Sequence, residues 1–117
     1  MSGIALSDRT MELVARRFRV LGEPFRLRIL QALSRSEKTV TELVEELDAG
    51  QPNVSKHLQL LLDGGLVARR KKGTSNIYSV ADPQIYMLCD LVCRSVTEKA
   101  REDLEDIVQT EPSPHRR

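Results

Sequence analysis

Aromatic residues are scarce in this sequence, which has no tryptophan, two tyrosines and two phenylalanines among its 117 residues. Proteins that bind single-stranded nucleic acids stack bases on aromatic rings, so the composition argues against such a platform. There is also no apolar run of about 18 residues, which excludes a membrane-spanning helix. Only two cysteines occur, too few for a disulfide framework, and we expect both to be reduced thiols.

Signals for export and for catalysis are missing as well. The start, MSGIALSDRT, has no basic segment followed by an apolar one, so we expect no signal peptide and a cytoplasmic protein. The chain contains no G-x-S-x-G, Gly-rich phosphate loop or C-x-x-C, and its two histidines give no organised catalytic base, so we expect no enzyme. With 40% hydrophobic residues the chain can build one domain around a modest core.

The segment from Thr39 to Leu66 predicts two short helices joined by a tight turn. Thr39 followed by Glu42 is a capping box, in which each side chain satisfies a backbone N–H of the first helical turn. The segment 48–50 ends this helix, and Gly50 is free to adopt the positive φ that a helix exit often needs. The apolar positions have the spacing of a helix with one buried face: Val40, Leu43, Val44 and Leu47.

A second helix begins at Gln51, with Pro52 at a first-turn position where its missing N–H costs nothing. Its apolar stripe is Val54, Leu58, Leu61 and Leu62, and Gly64-Gly65 end it. The opposite face carries hydrogen-bonding side chains, namely Gln51, Asn53, Ser55, Lys56, His57 and Gln59. Such side chains can pair with base edges in the major groove, so we predict a DNA-reading helix; an ordinary amphipathic hairpin is the alternative.

The next segment predicts a β-hairpin with a basic tip. Two β-prone runs, 66–68 and 77–80, flank a polar turn that contains Gly73. From Gln51 to Asn76 there are five basic residues and one acidic residue, although the whole chain has a net charge of only +1. This concentrated charge predicts contacts with DNA phosphates, and a solvated charged loop is the alternative. The predicted contact residues of the hairpin are Arg69, Arg70, Lys71, Lys72, Gly73, Thr74, Ser75 and Asn76.

Helices are also predicted on both sides of this module. Ser7 caps a helix that runs to about Leu21, and a second helix runs from Phe25 to Ser34, with Arg26 and Arg28 facing out or forming salt bridges. After the hairpin, Asp82 as N-cap and Pro83 as first residue begin a long helix that ends near Val108. Its first half is too apolar for a surface helix, so we predict a homodimer that packs the N- and C-terminal helices of two copies together.

The predicted fold class is mainly α with a small β-hairpin: a winged helix-turn-helix of about five helices plus a two-stranded wing. In terms of domains, residues 1–7 form a flexible N-terminus, residues 8–109 the DNA-binding and dimerisation domain, and residues 110–117 a disordered tail. A winged-helix domain used only for protein interaction is a rival interpretation, and it would show no operator preference.

The chain resembles the ArsR/SmtB family of small winged-helix bacterial repressors over about residues 9–106. Four separate motifs carry the likeness: FRVLGEPFRLRIL at 18–30, TEL at 41–43, QPNVSKHL at 51–58, and GGLV at 64–67. The resemblance implies a homodimer that represses transcription at double-stranded operator DNA and leaves it when an inducer binds. It also implies that the residues 51, 53 and 55–57 match the DNA-facing side of the family's recognition helix, His57 included, and that residues 69–76 match its wing.

The inducer does not follow from the resemblance. The family's cysteine pattern in the first helix of the helix-turn-helix is replaced by Leu43-Val44-Glu45-Glu46, the long helix has no histidine, and the second helix has no cysteine. Cys89 and Cys93 remain, four residues apart on one helix face with Cβ atoms about 6 Å apart, where they can bind arsenite or another soft ion or be oxidised. They can equally be packing residues, with an unrelated inducer or none.

Overall fold

The structure, a computed structural model, describes residues 6–110, and their side chains through residue 107. The expectations for residues 1–5 and 111–117 lie outside this range. The elements are α1 (Asp8–Leu21), α2 (Pro24–Arg35), β1 (Lys38–Thr39), α3 (Val40–Leu47), α4 (Gln51–Asp63), β2 (Val67–Lys72), β3 (Ser75–Val80) and α5 (Gln84–Thr110). The mainly α fold with five helices and a wing is confirmed. The chain divides into two compact units, with the boundary between Asp82 and Pro83.

The helix starts follow from local capping. Ser7 Oγ accepts a hydrogen bond from the Thr10 N–H at 3.1 Å and caps α1. The Thr39–Glu42 capping box of α3 is confirmed: the Glu42 N–H donates to Thr39 Oγ1 at 3.2 Å, and the Thr39 N–H donates to Glu42 Oε1 at 2.8 Å. These contacts satisfy first-turn donors that a helix cannot pair internally.

The turn between α3 and α4 differs from the sequence expectation. Asp48, not Gly50, takes the left-handed conformation, with φ of 51° and ψ of 55°. Gly50 has φ of −71° and is the N-cap of α4. Aspartate tolerates this region better than most residues because its short polar side chain bonds locally. The chain therefore turns two residues earlier than expected.

The core lies between α2, α3, α4 and the start of the wing. Its most deeply buried large side chains are Ile29, Leu43, Val54, Leu58, Leu61 and Leu66. The predicted inner faces of α3 and α4 are thus confirmed at these positions. Burial of one apolar face holds each of these short helices, which would be marginal alone in water.

The wing is part of a three-stranded antiparallel sheet rather than a separate two-stranded hairpin. The strand order is β1-β3-β2, with Thr39 opposite Ile77 and Arg70 opposite the same residue on the other side. Gly73, with φ of 63°, makes the turn between β2 and β3. Because Thr39 also caps α3, the short strand β1 joins the wing directly to the helix-turn-helix.

The two outer helices α1 and α5 carry many exposed apolar side chains. The long helix begins at Gln84, one residue after the predicted Pro83, and runs for 27 residues. The Asp82 carboxylate accepts a hydrogen bond from Arg17 Nη1 at 2.9 Å.

Within residues 6–110, no helix meets the length and hydrophobicity needed to span a bilayer. The exposed apolar residues are Met11, Leu13, Val14 and Phe18 on α1, and Met87, Leu91, Val92, Val96, Leu104 and Ile107 on α5.

Candidate nucleic-acid interface

The outer face of α4 presents an array of short polar side chains. Gln51, Pro52, Asn53, Lys56 and Gln59 are exposed and Ser55 is half-buried. Gln51 Nε2 lies 3.3 Å from Ser55 Oγ, and Gln59 Nε2 lies 2.8 Å from Asp63 Oδ1, so both amides have local partners that a ligand must replace. Exposed polar side chains of this kind can pair with base edges in a major groove.

The N-terminal end of α4 suits an anion. Its N-cap is Gly50, which has no side chain to bond the first N–H groups, and no acidic residue occurs in the first turn. The positive end of the helix dipole and these N–H groups can therefore interact with a phosphate oxygen. Lys56, one turn further along, adds a positive charge beside the same face.

The wing extends the positive surface. On β2 the exposed cations are Arg69, Lys71 and Lys72. In the turn and at the start of β3, Gly73, Thr74 and Ser75 are also exposed and Asn76 is half-buried. Arg70 forms an ion pair with Glu37, a residue just before β1. The structure thus places the predicted wing residues together at one hairpin, with one of its four cations already paired to a carboxylate. Arg70 must exchange this partner before it can bind a phosphate.

His57 does not lie on the exposed face of α4, and that prediction is wrong. Its side chain is only 7% exposed and packs against Phe25, with ring centroids 5.2 Å apart and ring planes inclined by 50°. Nδ1 lies 3.1 Å from Arg26 Nη1. His57 follows Val54 by three residues and precedes Leu61 by four, so the spacing of the buried stripe could have placed it inside.

The two arginines of α2 were expected to face out or form salt bridges. Arg28 is exposed as expected, whereas Arg26 is half-buried, and both guanidiniums bond backbone carbonyls. Arg26 donates from Nε to the Val20 carbonyl at 2.6 Å and from Nη2 to the Arg19 carbonyl at 3.3 Å. Arg28 donates to the Leu47 carbonyl at 3.2 Å, and its guanidinium lies 5.6 Å from the centre of the Phe25 ring. Both arginines bind carbonyls near helix ends, a role that no local pattern signals.

The two cysteines lie on α5, both as free thiols. Cys89 is half-buried and Cys93 is exposed. Burial raises the pKa of the Cys89 thiol, which favours its protonated form. Burial and the neighbouring Cys89 raise the pKa of Tyr86 to about 12. No group of three or more potential metal ligands occurs among residues 6–107, so one chain offers a soft ion two sulfurs.

Comparison with known proteins agrees with this geometry. The profile described as "Bacterial regulatory protein, arsR family" matches residues 23–69. A probable mercury resistance operon repressor of Streptomyces lividans is 46% identical over 71 residues, which are 61% of this chain and 57% of that protein. An uncharacterised HTH-type transcriptional regulator of Methanocaldococcus jannaschii is 37% identical over 82 residues, or 69% of this chain and 92% of the relative.

A solved structure extends the similarity to the fold. It is the solution structure of a homodimeric winged helix-turn-helix DNA-binding domain from Mycobacterium bovis, described as a possible ArsR-family transcriptional regulator. It is 31% identical, has a TM-score of 0.72, and the match covers 87% of this chain and 95% of that one. Because the family profile, the relatives and the fold agree, this chain belongs to the ArsR family and is a winged-helix DNA-binding transcriptional regulator, not an enzyme.

Proposed function

We propose that the protein is a homodimeric repressor that binds a pseudo-palindromic operator and leaves it when a thiol-binding inducer acts on Cys89 and Cys93. The observation that carries the DNA-binding part is the joint exposure of the polar face of α4 and of the basic wing. A repressor that binds operator DNA would act in the cytoplasm. Residues 8–109 form the functional domain.

The DNA contacts divide into two roles. Gln51, Asn53, Ser55, Lys56 and Gln59 face base edges or adjacent phosphates, with Pro52 at the entry of α4. The wing residues 69–76 contact the backbone and set affinity rather than sequence preference. In a homodimer the two α4 helices would lie about 34 Å apart, the separation of successive major grooves on one side of the duplex.

The exposed apolar faces of α1 and α5 support dimerisation. Met11, Val14 and Phe18 follow the i, i+3, i+7 spacing on α1 and are exposed. On α5 a patch of four residues has the same kind of spacing: Cys89, Val92, Cys93 and Val96, which we call the cysteine face. Contiguous exposed apolar surface of this kind is typical of an interface, and the Mycobacterium bovis relative is homodimeric.

The cysteine face also supports the inducer proposal. Pairing of this face about a two-fold axis would bring up to four sulfurs together, enough for the three or four ligands that soft ions such as arsenite prefer. Ion binding must displace the thiol proton of Cys89, whose pKa is raised by burial. Induction should therefore strengthen as pH rises from about 7 toward 9. The Streptomyces lividans relative is a probable mercury resistance operon repressor, consistent with a soft-ion inducer.

Fluorescence anisotropy tests this function. The reduced protein is titrated onto duplex DNA from upstream of its own gene, in parallel with a scrambled duplex, before and after arsenite. We expect operator-selective binding that arsenite reverses. A repressor that contacts on the order of ten phosphates should also lose about a thousandfold in affinity between 50 and 200 mM salt.

Two cysteine variants separate sensing from packing. Cys89→Ser and Cys93→Ser should keep operator affinity and lose the response to arsenite. Cys89→Ala is the matched control, because it removes the thiol but keeps an apolar contact. A response that survives in all three variants would show that the cysteines are packing residues and that the inducer binds elsewhere.

A further inference from the structure

A partly buried polar cluster on the inner side of α4 has no part in the proposed DNA contacts. It consists of Phe25, Arg26 and His57, together with the carbonyls of Arg19 and Val20 at the end of α1. One guanidinium thus bonds the last turn of α1 with two nitrogens and the middle of α4 with a third. Three helices meet at a single side chain.

The chemistry of the cluster defines its protonation state. Arginine has only donors, so Arg26 Nη1–H donates and His57 Nδ1 accepts, which places the imidazole proton on Nε2. A proton on Nδ1 would turn the acceptor into a donor and break the contact. Burial lowers the pKa of His57, Arg26 and Lys56 lower it further, and Glu23 opposes the shift. At neutral pH the imidazole is therefore uncharged and the hydrogen bond is intact.

The cluster lies next to the residues that face DNA. Asn53 precedes His57 by one helical turn and Lys56 is its direct neighbour, so the orientation of the His57 ring and that of the outer face of α4 are set together. On the other side, Arg26 bonds the end of α1, the helix that exposes Met11, Val14 and Phe18. The cluster is a polar link between these two helices.

We propose that the Arg26–His57 hydrogen bond positions α4 by tying it to the C-terminal end of α1, so that Arg26 and His57 govern operator recognition without touching DNA. The inference rests on the proposed DNA-reading role of α4. A residue that sets the orientation of a reading helix changes discrimination between sequences, whereas a residue that only adds stability changes the folded fraction.

The test uses the full-length reduced protein and a duplex that the wild-type protein selects from a random pool, with a scrambled duplex as reference. His57→Leu removes the acceptor at similar volume, and Arg26→Ala removes the donor. We expect each to lower the ratio of selected to scrambled affinity about tenfold. Because the two residues act through one contact, the double variant should lose about as much as either single variant.

Two controls separate positioning from a phosphate contact. His57→Leu removes no charge at neutral pH, so the slope of log affinity against log salt should be that of the wild type. Arg35→Ala removes a charge from α2, the helix that also carries Arg26. Arg35 forms an exposed pair with Glu46, so this variant should leave the affinity ratio unchanged. A salt slope that falls by about one in Arg26→Ala, with discrimination kept, would identify Arg26 as a phosphate ligand and overturn the proposal.

Rescue excludes a merely structural role. His57→Asn offers Oδ1 near the position of Nδ1, so it should restore much of the discrimination although it lacks the ring contact with Phe25. Arg26→Lys replaces Arg26→Ala if the latter unfolds, since it keeps the charge but not the forked contact. Variants that melt earlier but discriminate like the wild type would overturn the inference. A wild type that selects no sequence would instead overturn the proposed function itself.

Discussion

Helices α4 and α5 contain similar apolar side chains but bury them very differently. Val54, Leu58 and Leu61 of α4 are fully buried, whereas Leu91, Val92 and Val96 of α5 are 63%, 52% and 61% exposed. Helix α4 therefore has its apolar contacts within one chain. Helix α5 presents an apolar surface that a second copy can cover, so the comparison separates folding of the chain from its assembly.

The largest expected effect is a loss of stability caused by a cavity at the buried face of α4. Leu58→Ala removes a fully buried side chain and should lower the free energy of unfolding by about 2 to 5 kcal/mol. Urea unfolding monitored by circular dichroism measures it. Leu91→Ala on α5 is the matched change, and it should cost much less at low protein concentration. Equal losses would mean that the two helices do not differ as described.

A charge on the cysteine face should break the assembly without unfolding the chain. Val96→Glu places a carboxylate in the proposed interface of both copies, and we expect the dimer dissociation constant to rise at least about thirtyfold. Analytical ultracentrifugation gives this value. Arg101→Glu adds the same group at a position paired with Glu105 on the charged side of the helix, and should leave the dimer intact. An unchanged dimer in Val96→Glu would place the interface elsewhere.

Substitutions on the outer face of α4 should change DNA binding rather than dimerisation. Asn53→Ala removes an exposed amide and should cost about 1 to 3 kcal/mol of discrimination at one base pair. Lys72→Ala in the wing should weaken binding to all sequences alike and reduce the salt slope by about one. Competition binding with single-base variants of the operator measures both. Sequence-independent loss in Asn53→Ala would contradict its base-reading role.

The smallest expected effect is the pH dependence of stability that His57 causes on the inner face of α4. His57 has a pKa below 6.5 in the folded protein, so an unfolded chain takes up the proton first as pH falls. The contribution of His57 to stability is therefore constant above pH 6.5 and declines as pH falls through 6.5 toward the folded pKa. Unfolding measured between about pH 7.5 and 5.5 should show this decline in the wild type and less of it in His57→Asn.

Local patterns predicted most of the architecture correctly. The Thr39–Glu42 capping box and the Val54, Leu58 and Leu61 stripe depend on interactions within one or two helical turns, so they are visible in the sequence. The four motifs of the family resemblance identified the family correctly. The DNA-contact and inducer residues remain predictions, because they describe encounters with other molecules.

Two of the errors share a cause. Strand β1 has two residues and exists only through pairing with Ile77 and Tyr78, far along the chain. Polar residues usually face solvent, so His57 was expected on the outer face. Arg26 supplies a hydrogen bond that offsets the cost of burying the imidazole. Asp48 took the turn conformation expected of Gly50. Long-range contacts decided the first two, and the local tolerance of aspartate allowed the third.

The sequence by itself determined the five helices, the N-caps of α1 and α3, and the order of the helices and the wing, because hydrophobic periodicity and capping act over a few residues. Only the tertiary structure decided which partners the inward polar groups of α2 and α4 take. It brings Arg26 to the carbonyls of α1 and to His57, residues up to 31 positions apart. The pairing of a buried polar group depends on the partner that folding places beside it, and no spacing along the chain encodes that partner.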